Sequence, residues 1–251
     1  MTGRVESLLL IHGAGSSGRF MREAFASVGA PQVHALEDRT GDIAEIISAL
    51  EAVVDGLPRP RVVVGVSLGA HAAARWAGVA GVGRVDALGL VMPAWTGPPG
   101  TVAALSRATA ARIRRESVPE ALAEITGAAP GGWALRQLQT DWPRYGSRLA
   151  PALEAAGRSD GPTLQHLSQI TIPCGVVAIQ GDPLHPESVA RDWVAALPNG
   201  HLVTLDQAAP AADLCIIGAA SAVAWHRAGG PGASVAVEPP VSERPPVSES
   251  R

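Results

Sequence analysis

Lysine is absent from this chain of 251 residues; all 20 of its basic residues are arginine. No lysine Schiff base can therefore be part of its chemistry. Cysteine is scarce as well. Cys174 and Cys215 stand far apart in apolar surroundings, which excludes a disulfide framework and a zinc knuckle and reads as two buried thiols. Long hydrophobic runs are missing too. The N-terminal stretch MTGRVESLLLIHGAG holds an apolar run of about five residues, too short for a signal-peptide core or a membrane span. A cytoplasmic protein with no membrane partner is expected. The net charge is only −3, and the positive residues are scattered with no stripe that could neutralise phosphates, so nucleic acid is not expected as a partner.

What is present is apolar content, 47% of the residues, enough for burial to offset the entropy of ordering one large domain. Ser7–Ile11 is a short apolar run ended by a Gly-rich turn, the pattern of a fully buried parallel strand. A helix with Phe20, Met21 and Phe25 should follow, then a weaker strand over 33–36. Ile43, Ile46, Ile47 and Leu50 share one face of a helix that Pro58 and Pro60 close off. The clearest strand is Arg61–Val66, with an Ala-rich helix behind it over 70–77 and a further strand over 86–91. After a long gap come a strand over 174–179, a helix over 186–197, a strand over 202–205 and a helix over 215–225. This alternation predicts an α/β fold, a mostly parallel central sheet with helices on both faces.

Residues 93–163 interrupt the alternation with helical segments separated by Pro and Gly, and are expected to form a helical cap. Trp95, Trp133, Trp142 and Tyr145 put four of the chain's nine aromatic residues in this insertion, to line a cleft or to pack the cap's own core. Beyond Gly229 the sequence turns to Pro, Ser and Glu with a Pro-Pro-Val-Ser-Glu tandem, so the domain is expected over 1–229 with a disordered tail over 230–251.

Chemistry concentrates in Gly65-Val66-Ser67-Leu68-Gly69, a G-x-S-x-G motif with a strand before it and a helix after. A turn tight enough to hold a nucleophile in strained φ/ψ space needs neighbours with almost no side chain, two before and two after. Gly65 and Gly69 meet that need, and a structural glycine turn is the plain alternative. Ser67 would then stand at a helix N-terminus, whose dipole favours developing negative charge. Acyl transfer also needs two backbone N–H groups aimed at the oxyanion, and Leu68 together with Ala14 in His12-Gly13-Ala14-Gly15 are the candidates. His12 reads as a residue that pins this loop. Gly13 and Trp95 are expected beside the substrate. No cofactor and no metal are called for.

Both motifs, in this order and separation, resemble the α/β hydrolase superfamily over about residues 5–227. A third match is Gln180-Gly181-Asp182-Pro183-Leu184-His185-Pro186, similar to the loop that carries the family's catalytic acid; by that resemblance Asp182 is the acid. Its plain alternative is a cap for the helix near Pro186. More narrowly, Ser67 to His71, Met92 to Gly97 and Asp182 to Pro186 together resemble a group of actinobacterial α/β hydrolases with no assigned substrate.

The resemblance fails at one place. Most members carry a histidine just after the final strand, and here Asp206 to Asp213 contains none. His185 is the substitute its segment favours: it lies in the acid loop at the same sheet edge as Ser67, and it precedes a proline that keeps it extended. His71, one turn into the helix after Ser67, reads as a core residue. His34, His166, His201 and His226 lie in segments away from that edge. Two functions stay open. In one, Ser67, Asp182 and His185 make an esterase, thioesterase or lactonase-like hydrolase of a small acyl substrate. In the other, the pocket serves a lyase, a cyclase or ligand binding without hydrolysis.

Overall fold

The structure, a computed structural model, describes residues 3–128 and 132–236. Strand β1 (Ser7–Ile11) leads into helix α1 (Gly18–Ala24), the two-residue strand β2 (Val28–Gly29) and strand β3 (Gln32–Ala35). Helix α2 (Ile43–Val54) starts where the Asp42 carboxylate accepts the Ala44 and Glu45 N–H groups, an N-cap worth about 1 kcal/mol. Strand β4 (Arg61–Val66), helix α3 (Leu68–Trp76) and strand β5 (Ala87–Val91) follow. Five helices come next: α4 (Thr101–Arg115), α5 (Val118–Ala128), α6 (Trp133–Tyr145), α7 (Leu149–Ala156) and α8 (Leu164–Ser168). The chain then forms β6 (Cys174–Ile179), α9 (Glu187–Ala196), β7 (Gly200–Leu205), α10 (Ala209–Ala212), α11 (Ile216–Arg227) and β8 (Ser234–Val235).

Six strands form one sheet in the order β3-β1-β4-β5-β6-β7, every neighbouring pair parallel. Period-two alternation divides its side chains between two cores. Leu8, Leu10, Val62, Val64 and Val177 pack with Phe20, Met21, Ile217 and Trp225 from α1 and α11. Leu9, Ile11, Val63, Leu88 and Val176 pack with Ile46, Leu50, Trp76 and Trp193 from α2, α3 and α9. A sheet covered on both faces reads as a continuous apolar run, and each fully buried Leu, Ile or Val contributes roughly 1.5–3 kcal/mol.

The helix after β1 lies on one face and the helix after β4 on the other, so the crevice between these adjacent strands opens at their carboxyl ends. In open α/β sheets that switch point is where ligands bind. Ser67 follows β4 there.

The domain extends further than the sequence suggests. Residues 230–236, expected to be disordered, dock on the domain: Trp225 Nε1 donates to Pro231 O, Val5 N to Gly232 O, and β8 pairs antiparallel with β2. Backbone bonds, which composition does not encode, hold this segment. The rest of the expected tail, 237–251, lies outside the described residues. The two thiols also differ, since Cys174 is buried and Cys215 only partly so.

Candidate active site

Ser67 has φ 54° and ψ −116°, a strained conformation for a residue with a side chain. The glycines around it explain how the strain is tolerated. A Cβ on Gly65 would overlap the Gly69 carbonyl, and one on Gly69 would overlap the Ile11 carbonyl and lie 2.8 Å from His12 O. The turn is further tied down where Ser67 N donates to Val91 O at 2.8 Å.

His185 and Asp182 reach Ser67 from the β6–α9 loop. Gly181 (φ 74°) turns the chain, and the Asp182 carboxylate then folds it back by accepting Leu184 N at 2.8 Å and His185 N at 3.2 Å through Oδ1. Its other oxygen lies 2.8 Å from His185 Nδ1, and His185 Nε2 lies 3.0 Å from Ser67 Oγ. An ionised carboxylate only accepts, so Nδ1 carries the proton and Nε2 is left to accept from the serine hydroxyl. Burial pushes the Asp182 carboxyl up, but the His185 hydrogen bond, the charge of that ring and the two loop N–H groups outweigh it and hold the carboxyl below its ordinary value. Asp182 does not cap α9, whose N-cap residue is Pro186.

The loop after β1 closes the other side. A Cβ on Gly13 would stand 3.0 Å from Ser67 Cβ and 3.2 Å from Val66 O, so any side chain there would push the loop and the serine turn apart by a few tenths of an ångström. His12 pins the loop through both ring nitrogens. Nε2 accepts Asp38 N at 3.1 Å, which puts the proton on Nδ1 for donation to Gly13 O at 2.8 Å. In a trans peptide the C=O and the following N–H point opposite ways, so fixing Gly13 O also fixes the Ala14 N–H. Among the described residues, neither Ala14 N nor Leu68 N donates a hydrogen bond.

His71 is fully buried under this site, its Nε2 accepting Ala94 N at 3.1 Å and Trp95 N at 3.5 Å. The Trp95 ring meets it edge to face at 4.4 Å, so that indole is packed on His71 and only 9% exposed. His34 lies in β3, His166 forms a capping box with Thr163, His201 is in β7 and His226 faces Gly230 O. Asp141 of α6, which bonds to Ser17, carries no signal in the sequence, and Tyr145 is legible there only as an aromatic of the insertion, not as the donor to the Ser16 carbonyl. No local pattern could have shown it, because the partners are more than a hundred residues away.

A sequence profile described as the alpha/beta hydrolase family matches residues 8–214. The chain belongs to that family. Solved structures with the same α/β hydrolase fold include a hydrolase from Pseudomonas aeruginosa, 19% identical, with a TM-score of 0.65 and covering 86% of this chain and 88% of its own. An esterase from Exiguobacterium antarcticum is 15% identical, with a TM-score of 0.65 and 82% and 85% covered. The enol-lactonase from Burkholderia xenovorans is 15% identical, with a TM-score of 0.62 and 81% and 84% covered. Comparison with curated proteins gives no match. In this α/β hydrolase no helix among the described residues is long and apolar enough to cross a membrane, and no group of three or more His, Cys, Asp or Glu among them could hold a metal ion.

Proposed function

We propose that this α/β hydrolase is a serine hydrolase of a small-molecule acyl substrate, an ester, thioester or lactone, with Ser67 as nucleophile, His185 as general base and Asp182 as the group that orients and charges the pair. The observation that carries the reading is the 3.0 Å approach of His185 Nε2 to Ser67 Oγ, with Nδ1 held 2.8 Å from Asp182 Oδ2. As Ser67 Oγ attacks the carbonyl carbon, its proton passes to Nε2, and the carbonyl oxygen becomes an oxyanion facing the Ala14 and Leu68 N–H groups. Collapse expels the leaving group, which takes the proton from Nε2. Water, deprotonated by the same nitrogen, then releases the acid and restores the serine. Asp182 stays ionised throughout, in keeping with its lowered pKa.

A lyase, cyclase or binding role drew its weight from the missing late histidine. A ring nitrogen within hydrogen-bond reach of the serine supports the hydrolytic reading instead. Mass spectrometry after exposure to a fluorophosphonate should find Ser67 modified, and His185→Ala should lower turnover of a model ester by roughly a thousandfold or more with the fold intact. Folded protein that takes no label, or a His185→Ala variant as fast as the parent, would overturn the assignment.

A further inference from the structure

Ala14 sits between two glycines, and its peptide is fixed only as well as both sides are. On the inner side His12 holds Gly13 O. On the outer side Gly15 (φ 71°) and Ser16 have a single backbone bond of their own, Ser16 N to Gly13 O at 3.1 Å. What covers that outer side is one face of α6. Tyr145 donates its hydroxyl to Ser16 O at 2.8 Å, Ser17 donates its hydroxyl to Asp141 Oδ2 at 2.9 Å, and Gln137 Nε2 donates to Ser16 Oγ. The Trp142 indole fills the space where a Gly15 side chain would be. Residues 137, 141 and 145 are spaced four apart, a single stripe along a helix.

These groups are costly choices for mere docking. Asp141 is 1% exposed, and a buried carboxylate is tolerated only when its oxygens are bonded, which Ser17, Arg19 Nη2 at 3.3 Å and Gln137 Nε2 at 3.4 Å accomplish. Apolar contact would seat a helix as firmly without aiming anything. Directional bonds to consecutive residues of one loop instead set that loop's orientation.

We propose that α6 is the positioning element of the oxyanion loop, with Tyr145 and Asp141 as positioning residues, so that seating of the helical insertion sets the aim of the Ala14 N–H. This rests on the serine hydrolase reading above. Losing one oxyanion donor outright costs about 10²–10³ in turnover; loosening its support should cost about tenfold. For Tyr145→Phe and Asp141→Ala we therefore expect kcat for a model ester to fall about tenfold with KM within about twofold of the parent. Affinity for a boronic acid that mimics the tetrahedral intermediate should fall by the same factor. Hydrogen exchange over residues 12–20 should quicken, and Asp141→Asn, which keeps an acceptor for Ser17, should recover part of each loss. Unchanged exchange and kcat in folded Tyr145→Phe would overturn the proposal. So would a raised KM with kcat intact, which would make α6 a wall of the substrate pocket. If the parent hydrolyses no ester and Ser67 takes no fluorophosphonate, the hydrolase reading fails and the oxyanion role with it. The exchange measurement still reports separately whether α6 holds the loop.

Discussion

Acidification from about pH 7 to about pH 4.5 acts on His71 before it acts on the carboxylates that the fold holds ionised. The ring is fully buried, with Trp95 at 4.4 Å and Trp193 at 5.4 Å between ring centres. Its Nε2 is occupied by the Ala94 and Trp95 N–H groups, so the folded protein needs the ring neutral. Burial first, then the charges of His185 and Arg75, bring its pKa down from 6.5 to about 3. The unfolded chain therefore binds a proton that the folded chain refuses. The stabilisation is complete above about pH 6.5 and is lost progressively as the pH falls toward about 3. Over the first part of that range, from about pH 7 to about 4.5, the loss is about 2–3 kcal/mol, a large share of a total near 5–15 kcal/mol. Asp182 and Asp86, whose carboxyls lie below the ordinary 3.8, hold their share until the pH is lower still. His201, depressed by burial and by Arg227, adds a contribution of the same sign. The melting temperature should fall by roughly 5–10 °C across the window. His71→Gln, which keeps an acceptor and cannot titrate there, should be less stable at neutral pH and show a flatter dependence. A parent melting temperature that stays level to about pH 4.5, or a His71 ring that titrates by NMR near 6, would refute the reasoning.

Two further expectations concern the scaffold. Gly69→Ala drives a methyl group into the Ile11 carbonyl, so α3 and the end of β1 must separate; a loss of at least about 3 kcal/mol follows, seen as a fall of roughly 10 °C in melting temperature together with lost activity. Ending the chain after Ala236 should leave the melting temperature unchanged, because residues 237–251 carry only three valines as apolar side chains outside proline. Ending it after Gly229 strips the bonds to Val5, Trp225 and β2 and should lower it by several degrees.

The sheet was legible because its signal is local. The sequence reading ended β4 and β6 at the residues where the structure ends them, since an apolar run buried on both faces stops where the Gly-rich turn begins. The start of β7 was read two residues late because Gly200 and His201 pair with Cys174 and Gly175 without an apolar side chain of their own to announce it. The pair β2 and β8 was illegible, being two residues long and held by backbone bonds between the ends of the domain. The placing of Ser67 on a tight turn follows from two glycines beside it. The placing of His185 against Ser67 depended on how Pro183 and Leu184 turn, which the sequence leaves to the Asp182 carboxylate. The bonds that Asp141 and Tyr145 make were illegible, since their partners lie 124 and 129 residues away.

If Asp182 and His185 serve as proposed, their sharing one loop puts two tasks on the Asp182 side chain. Asp182 Oδ1 folds the loop, through Leu184 N and His185 N, and Oδ2 orients the ring, through Nδ1. In the usual arrangement, with the histidine after the last strand, the acid needs only the second task. Asp182→Asn separates them. An amide keeps an oxygen for the two loop N–H groups, so the turn and the position of His185 should survive. The amide nitrogen then faces Nδ1 and donates, which moves the ring proton to Nε2 and leaves nothing to accept from Ser67. Turnover should fall roughly 10⁴-fold, the size seen in serine proteases for the same exchange, with little change in melting temperature. Asp182→Ala removes both tasks, so it should be as inactive and should also quicken hydrogen exchange over 180–187, which Asp182→Asn should not. Kinetics and exchange on the two variants decide the matter. Equal exchange in both would show that the loop folds without the carboxylate, and an Asp182→Asn variant within about tenfold of the parent would show that the ring's tautomer is not set from this side.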